Sequence, residues 1–152
     1  MTAPAGTLTF RKILVPTDFS PHARAALDLA VGMAQRFGAE LLVVHVIATT
    51  SFPTSNMLTM SHFPNLRDEV RKRSDAEMQE LLKTMPVGLK ASGKLLEGPT
   101  YEQVLDCAAR EGADLIVMGT QGHTGLKHMI LGSTAERVVR LAPVPVLTIR
   151  GK

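Results

Sequence analysis

Two kinds of apolar pattern alternate along the chain. Ile13 to Val15 is a short apolar run that meets Pro16; from Ser20 the spacing changes to Ala23, Ala26, Leu27, Ala30, Val31 and Ala34, the stripe of a helix packed on one face. Ser20 suits the N-cap, Pro21 the first helical position, and Gly38 the stop. Leu41 to Ile47 then reads LLVVHVI, a nearly continuous run with β-branched residues, as expected of a parallel strand covered on both faces. His45 inside it reads as a satisfied core histidine.

Residues 48–65 hold no steady period and two prolines, and read as a long, mobile connection. A helix is expected from Leu66 to Met85, with Leu66, Val70, Met78, Leu81, Leu82 and Met85 inward and the basic run at 71–73 outward. Leu89 to Glu97 is a strand interrupted by Ser92 and Gly93. Thr100 and Gln103 have capping-box spacing, followed by the stripe Tyr101, Val104, Leu105, Ala108 and Ala109, stopped by Gly112. Asp114 to Met118 is the next strand. A helix starting near Gly132 carries Ala135, Val138, Val139 and Ala142, and Val144 to Ile149 is a strand whose Pro143 and Pro145 point to a sheet edge. Five strands alternating with four helices predict an α/β fold: a parallel sheet with helices on both faces, a Rossmann-like three-layer sandwich. In such sheets ligands bind at the carboxyl ends of the strands, where the direction of sheet growth reverses.

Composition narrows the picture. With 152 residues, 45% of them hydrophobic and 20% charged, the chain suits one domain at 10–152 behind a flexible tail at 1–9, needing no disulfide or metal to hold it. The net charge is only +3, with no Trp and one Tyr, so the aromatic platforms and basic stripe of a nucleic-acid binder are missing. Cys107 has no partner for an internal disulfide and reads as structural; no run approaches the apolar length of a membrane span. A cytoplasmic protein is the expectation.

The chemistry concentrates after the fourth strand. Gly119, Gly122, Gly125 and Gly132 are followed by Ser133 and Thr134 at a helix start. Glycines that turn amide N–H groups inward, a helix N-terminus and two hydroxyls together describe a phosphate cradle. The alternative is a loop whose glycines merely turn corners. Neither a P-loop nor a dinucleotide G-x-G-x-x-G fingerprint occurs. His123, Lys127 and His128 are either cations that neutralise phosphate or solvated side chains.

The spacing Gly119-x2-Gly122-x9-Gly132-Ser133, the opening KILVPTDFS and the closing GSTAERVVRLAPVPVLTIR resemble the universal stress proteins, over Phe10 to Arg150. That resemblance implies strand order 3-2-1-4-5, with strands one and four flanking the reversal point, and ATP binding, with or without Mg²⁺. By position, Pro16, Thr17 and Asp18 would line the nucleoside end and Val46 the base. Met118, Gly119, Gly122, Gly132, Ser133 and Thr134 would hold ribose and phosphates, with His123 beside them. The family also implies a homodimer through Val144 to Ile149. Asp18 is alternatively a plain turn residue before Ser20. From residue 115 to 135 there is no Asp or Glu, so efficient hydrolysis is not expected. The leading reading is a stress-response or regulatory protein switched by nucleotide occupancy. A slow ATPase and a dimeric interaction module with a vestigial pocket are the alternatives.

Overall fold

The computed structural model describes residue 6 and residues 8–49, 64–121 and 131–150. Within them strands and helices alternate strictly: β1 (Lys12–Pro16), α1 (Pro21–Phe37), β2 (Glu40–Ile47), α2 (Pro64–Lys83), β3 (Ala91–Glu97), α3 (Thr100–Glu111), β4 (Leu115–Gly119), α4 (Ser133–Leu141) and β5 (Val146–Ile149). The strands form one parallel sheet in the order β3-β2-β1-β4-β5. β1 is central: Ile13 lies opposite Leu41 of β2 on one side and Leu115 of β4 on the other. The Asp114 carboxylate fastens the far end of this seam, accepting the N–H groups of Arg11 at 2.9 Å and Lys12 at 3.2 Å.

Because side chains alternate across each strand, the core divides into two layers. Ile13, Val15, Leu41, Val43 and Val117 pack under Ala26, Leu27, Ala30 and Ala34 of α1 and Met78 of α2. Leu14, Leu42, Val44, Ile116 and Met118 pack under Val104, Cys107 and Ala108 of α3 and Ala135 and Val138 of α4. Each of the larger aliphatic side chains contributes about 1.5–3 kcal/mol on burial. Burial also pushes the Cys107 thiol pKa up, consistent with a structural cysteine.

Local signals account for several boundaries. Ser20 Oγ accepts the Ala23 N–H at 3.2 Å, Pro21 opens α1, and Gly38 and Gly112 end α1 and α3 in the left-handed region at φ 66°. Other expectations are corrected. Thr100 and Gln103 form no capping box: Pro99 takes the N-cap of α3 without a side-chain hydrogen bond, which moves Thr100 into the first turn. Leu66 is 41% exposed. Its neighbour Arg67 reaches Glu97, the last residue of β3, and among the described residues Leu66 joins neither core layer. Val139 is exposed because Ala135 and Val138 already fill the inner line of α4. β4 and β5 each begin later than expected, at Leu115 and Val146. Gly93 is a strand residue of β3, and a Cβ there would lie 2.6 Å from Met78 Cγ and Sδ; packing, not a turn, calls for glycine. Most of the expected mobile connection, residues 50–63, lies outside the described residues, as do residues 1–5 and 7 of the expected tail. Among the described residues no helix is long and apolar enough to cross a membrane.

Candidate functional site

A cleft of about 340 Å³ opens at the carboxyl ends of β1, β2 and β4, where the sheet reverses. One lip is Pro16, Thr17 and Asp18, at and just beyond the end of β1. The other is Gly119, at the end of β4, with Gly132, Ser133 and Thr134 at the start of α4. Val46 and Met118 supply apolar floor from β2 and β4. Thus every expected site residue that is described lines one space. Gly122 and His123 lie outside the described residues, together with Gly125, Lys127 and His128.

The second lip is closed by backbone. Gly132 N–H donates to the Thr120 carbonyl at 2.6 Å, and an added Cβ at Gly132 would sit 3.0 Å from that same oxygen. At Gly119 the added Cβ would lie 3.2 Å from the His22 carbonyl oxygen. Neither glycine has a positive φ, so what these two positions require is room for a neighbouring chain segment.

The electrostatics come mainly from helix ends. Gly132 caps α4 with extended backbone and no side-chain hydrogen bond, which leaves the N–H groups of Ser133, Thr134 and Ala135 without intrahelical acceptors beside the cleft. Thr100, at the equally uncapped start of α3, lines the same space. Two positive helix ends therefore meet one cavity, a setting that favours an anion. Among the described lining residues the ionisable side chains are Asp18 and His45. Asp18 performs the turn role, its Oδ1 accepting the Ser20 N–H at 2.9 Å, while also lining the cleft.

Sequence reasoning did not anticipate Thr100, Thr120 or His45 at the site. Thr100 was detectable in principle, as the first residue of a helix leaving a strand's carboxyl end. Thr120 is 8% exposed and among the described residues its Oγ1 has no hydrogen-bond partner, an arrangement that costs about 1–3 kcal/mol when nothing satisfies it. His45 is half-buried instead of being enclosed in the core: its Nδ1 lies 2.8 Å from the Thr17 carbonyl oxygen.

A doubly wound α/β sheet with a cleft at its reversal point is the class that this geometry defines. Residues 9–150 match the model of the Universal stress protein family, and the chain belongs to that family. Universal stress protein MJ0531 of Methanocaldococcus jannaschii is 35% identical over 147 residues, covering 95% of this chain and 85% of its own. Among solved structures, universal stress protein UspA of Lactobacillus plantarum is 29% identical with a TM-score of 0.77, covering 95% of this chain and 100% of its own. The structure of the hypothetical protein MJ0577 is 30% identical with a TM-score of 0.76, covering 95% and 99%.

Proposed function

We propose that this universal stress protein binds an adenine nucleotide, ATP foremost, in the cleft, and that occupancy acts as a conformational switch in a stress response. The observation that carries the reading is the pair of uncapped helix N-termini opening on one cavity beside Ser133 and Thr134. The volume falls within the roughly 300–1,000 Å³ of small-molecule sites. In this reading the α4 amides, the two hydroxyls and Gly119 receive the phosphates, and the likeness to the family adds Gly122 and His123. Met118 borders the ribose, and Val46 packs against the base. Pro16 and Thr17 shape the nucleoside end, where the Asp18 carboxylate accepts from a ribose hydroxyl or an adenine amine. Asp18 is the sole carboxylate among the described lining residues and its Oδ1 already holds the turn, which supports binding with slow turnover at most.

Nucleotide extracted from freshly purified protein and identified by mass tests the ligand directly. Thermal shift with ATP, AMP, cyclic AMP and GTP tests the preference. At one hundred times Kd a ligand stabilises by about 2.7 kcal/mol, or roughly 5–10 °C for a chain of this size. Nucleotide-free protein that shows no shift at millimolar ATP refutes the reading. A switch further requires unequal affinity for two conformations, seen as ATP-dependent hydrogen exchange at Thr120 and Gly132.

The same reading includes a homodimer through β5. Ile116 and Thr120 donate to the carbonyls of Pro145 and Ile149, so by alternation Val146 and Thr148 aim their N–H and C=O groups away from β4. That outward edge suits pairing with a second copy.

A further inference from the structure

The lip that carries Asp18 holds a backbone conformation its residues disfavour. Phe19 has φ 62°, the one positive value at a non-glycine position among the described residues. For a bulky side chain this region costs about 1–3 kcal/mol, and it persists only where the surroundings over-determine it. Here four hydrogen bonds and a ring contact do so. Thr17 N–H donates to the Val44 carbonyl at 2.8 Å, tying the turn to β2. Phe19 N–H donates to Thr17 Oγ1 at 3.0 Å, and Ser20 N–H donates to Asp18 Oδ1 at 2.9 Å. The fourth bond comes from the sheet, between His45 Nδ1 and the Thr17 carbonyl. A carbonyl only accepts, so Nδ1 carries the proton. The Phe19 ring packs on the core layer beneath α1 and α2 and lies against the His45 ring, centroids 4.6 Å apart and planes at 37°.

We propose that His45 and Phe19 are positioning residues: the imidazole clamps the Thr17 carbonyl and the phenyl ring clamps the left-handed turn, so that together they hold Asp18 at the cleft in its ligand-receiving form. The nature of the ligand rests on the nucleotide reading; the geometry of the lip does not. Without the clamp the Thr17 carbonyl loses a partner. The turn then relaxes most easily by returning Phe19 to negative φ, which withdraws the Ser20 N–H from Asp18 Oδ1 and shifts the carboxylate from its place at the lip.

The atoms of His45 allow a matched pair of variants. His45→Asn places an amide N–H where Nδ1 stands, one bond from Cγ in either side chain. His45→Gln places it near the Nε2 position and leaves the Thr17 carbonyl unmatched. Phe19→Leu removes the ring and keeps apolar bulk, as an independent test. Two readouts on the full chain, well below the unfolding temperature, separate positioning from general stability: exchange of the Phe19 and Ser20 amides without ligand, and ATP affinity by calorimetry. Both amides are expected to exchange several times faster in His45→Gln and Phe19→Leu than in wild type, and ATP to bind about five- to tenfold more weakly, the equivalent of one lost hydrogen bond. His45→Asn is expected to recover most of both. Equal exchange in His45→Asn and His45→Gln, or wild-type protection in His45→Gln, overturns the proposal. The expected exchange pattern with no ATP binding by wild type upholds the positioning role and overturns the nucleotide reading alone.

Discussion

Replacing Gly132 with alanine perturbs the backbone junction that closes one side of the cleft. The new Cβ would stand 3.0 Å from the Thr120 carbonyl oxygen, against an ordinary contact of 3.4 Å or more, and that oxygen already accepts the Gly132 N–H at 2.6 Å. The two segments must part by a few tenths of an ångström, weakening a hydrogen bond worth about 0.5–1.5 kcal/mol net. Alanine is also the poorer N-cap for α4, by up to about 1.5 kcal/mol. The sum, about 0.5–3 kcal/mol, lowers Tm by roughly 1–12 °C at this chain length. Gly32→Ala is the control: its Cβ meets nothing within 4 Å in the middle of α1, so it should raise stability by about 0.5–1 kcal/mol. Thermal unfolding of both variants, with and without ATP, separates crowding at the junction from a general effect of adding a methyl group. Gly132→Ala should also lose part of its ATP-induced shift, because the displaced amides belong to the α4 N-terminus. A Gly132→Ala protein as stable as wild type and equally responsive to ATP would refute the reasoning.

Three further outcomes follow from other parts of the molecule. Gly93→Ala should cost about 1–3 kcal/mol in thermal unfolding, since Met78 is 2% exposed and has little space into which to retreat. The Arg67 guanidinium, hydrogen-bonded to the Glu97 carboxylate, and then Arg71 hold the Glu97 pKa below its ordinary value of 4.5. A depressed carboxylate contributes stability that is fully present above its unfolded pKa and is lost as pH falls through the folded one; Glu97→Gln should therefore flatten the acid limb of a stability profile below pH 4.5, and an unchanged limb counts against the pairing. For the proposed β5 dimer, Thr148→Pro removes an outward-facing N–H and leaves the inward bonds of β5 in place, so light scattering should report a dimer for wild type and a monomer for the variant; dimers in both argue for another interface.

The alternation of strand and helix patterns was enough to read the architecture, because each layer buries its own periodic set of side chains. Strand order needed the likeness to a family, since periodicity says nothing about which edges meet. Expectations failed where a distant segment decides the local outcome. Leu66 matches the inward stripe of α2, yet among the described residues it joins neither core layer. Thr100 has cap chemistry, but the preceding Pro99 takes the cap position. At the site, Gly119 and Gly132 were legible because a strand end and a helix start leave local signatures; Asp18 read locally as a turn residue, and only the likeness to the family put it at the cleft. Thr120 and His45 were not: one is defined by a hydroxyl unmatched among the described residues, the other by a carbonyl from the turn that follows a different strand. No sequence rule assigns a left-handed backbone to a phenylalanine.

The pairing of β1 with β4 also has a temporal side. β1 is central in the finished sheet, but its second neighbour is encoded about 100 residues downstream. During synthesis at roughly 5–20 residues per second, β1, with its apolar run Ile13 to Val15, spends about 5–20 s as an open edge, still waiting for β4. Over that interval the growing chain displays the kind of strand that recruits other chains, and the crevice cannot exist because one of its two walls has not yet been made. The candidate site therefore takes shape only once β4 and the start of α4 have been made, and the nascent chain's hazard and that cleft lie along the same seam.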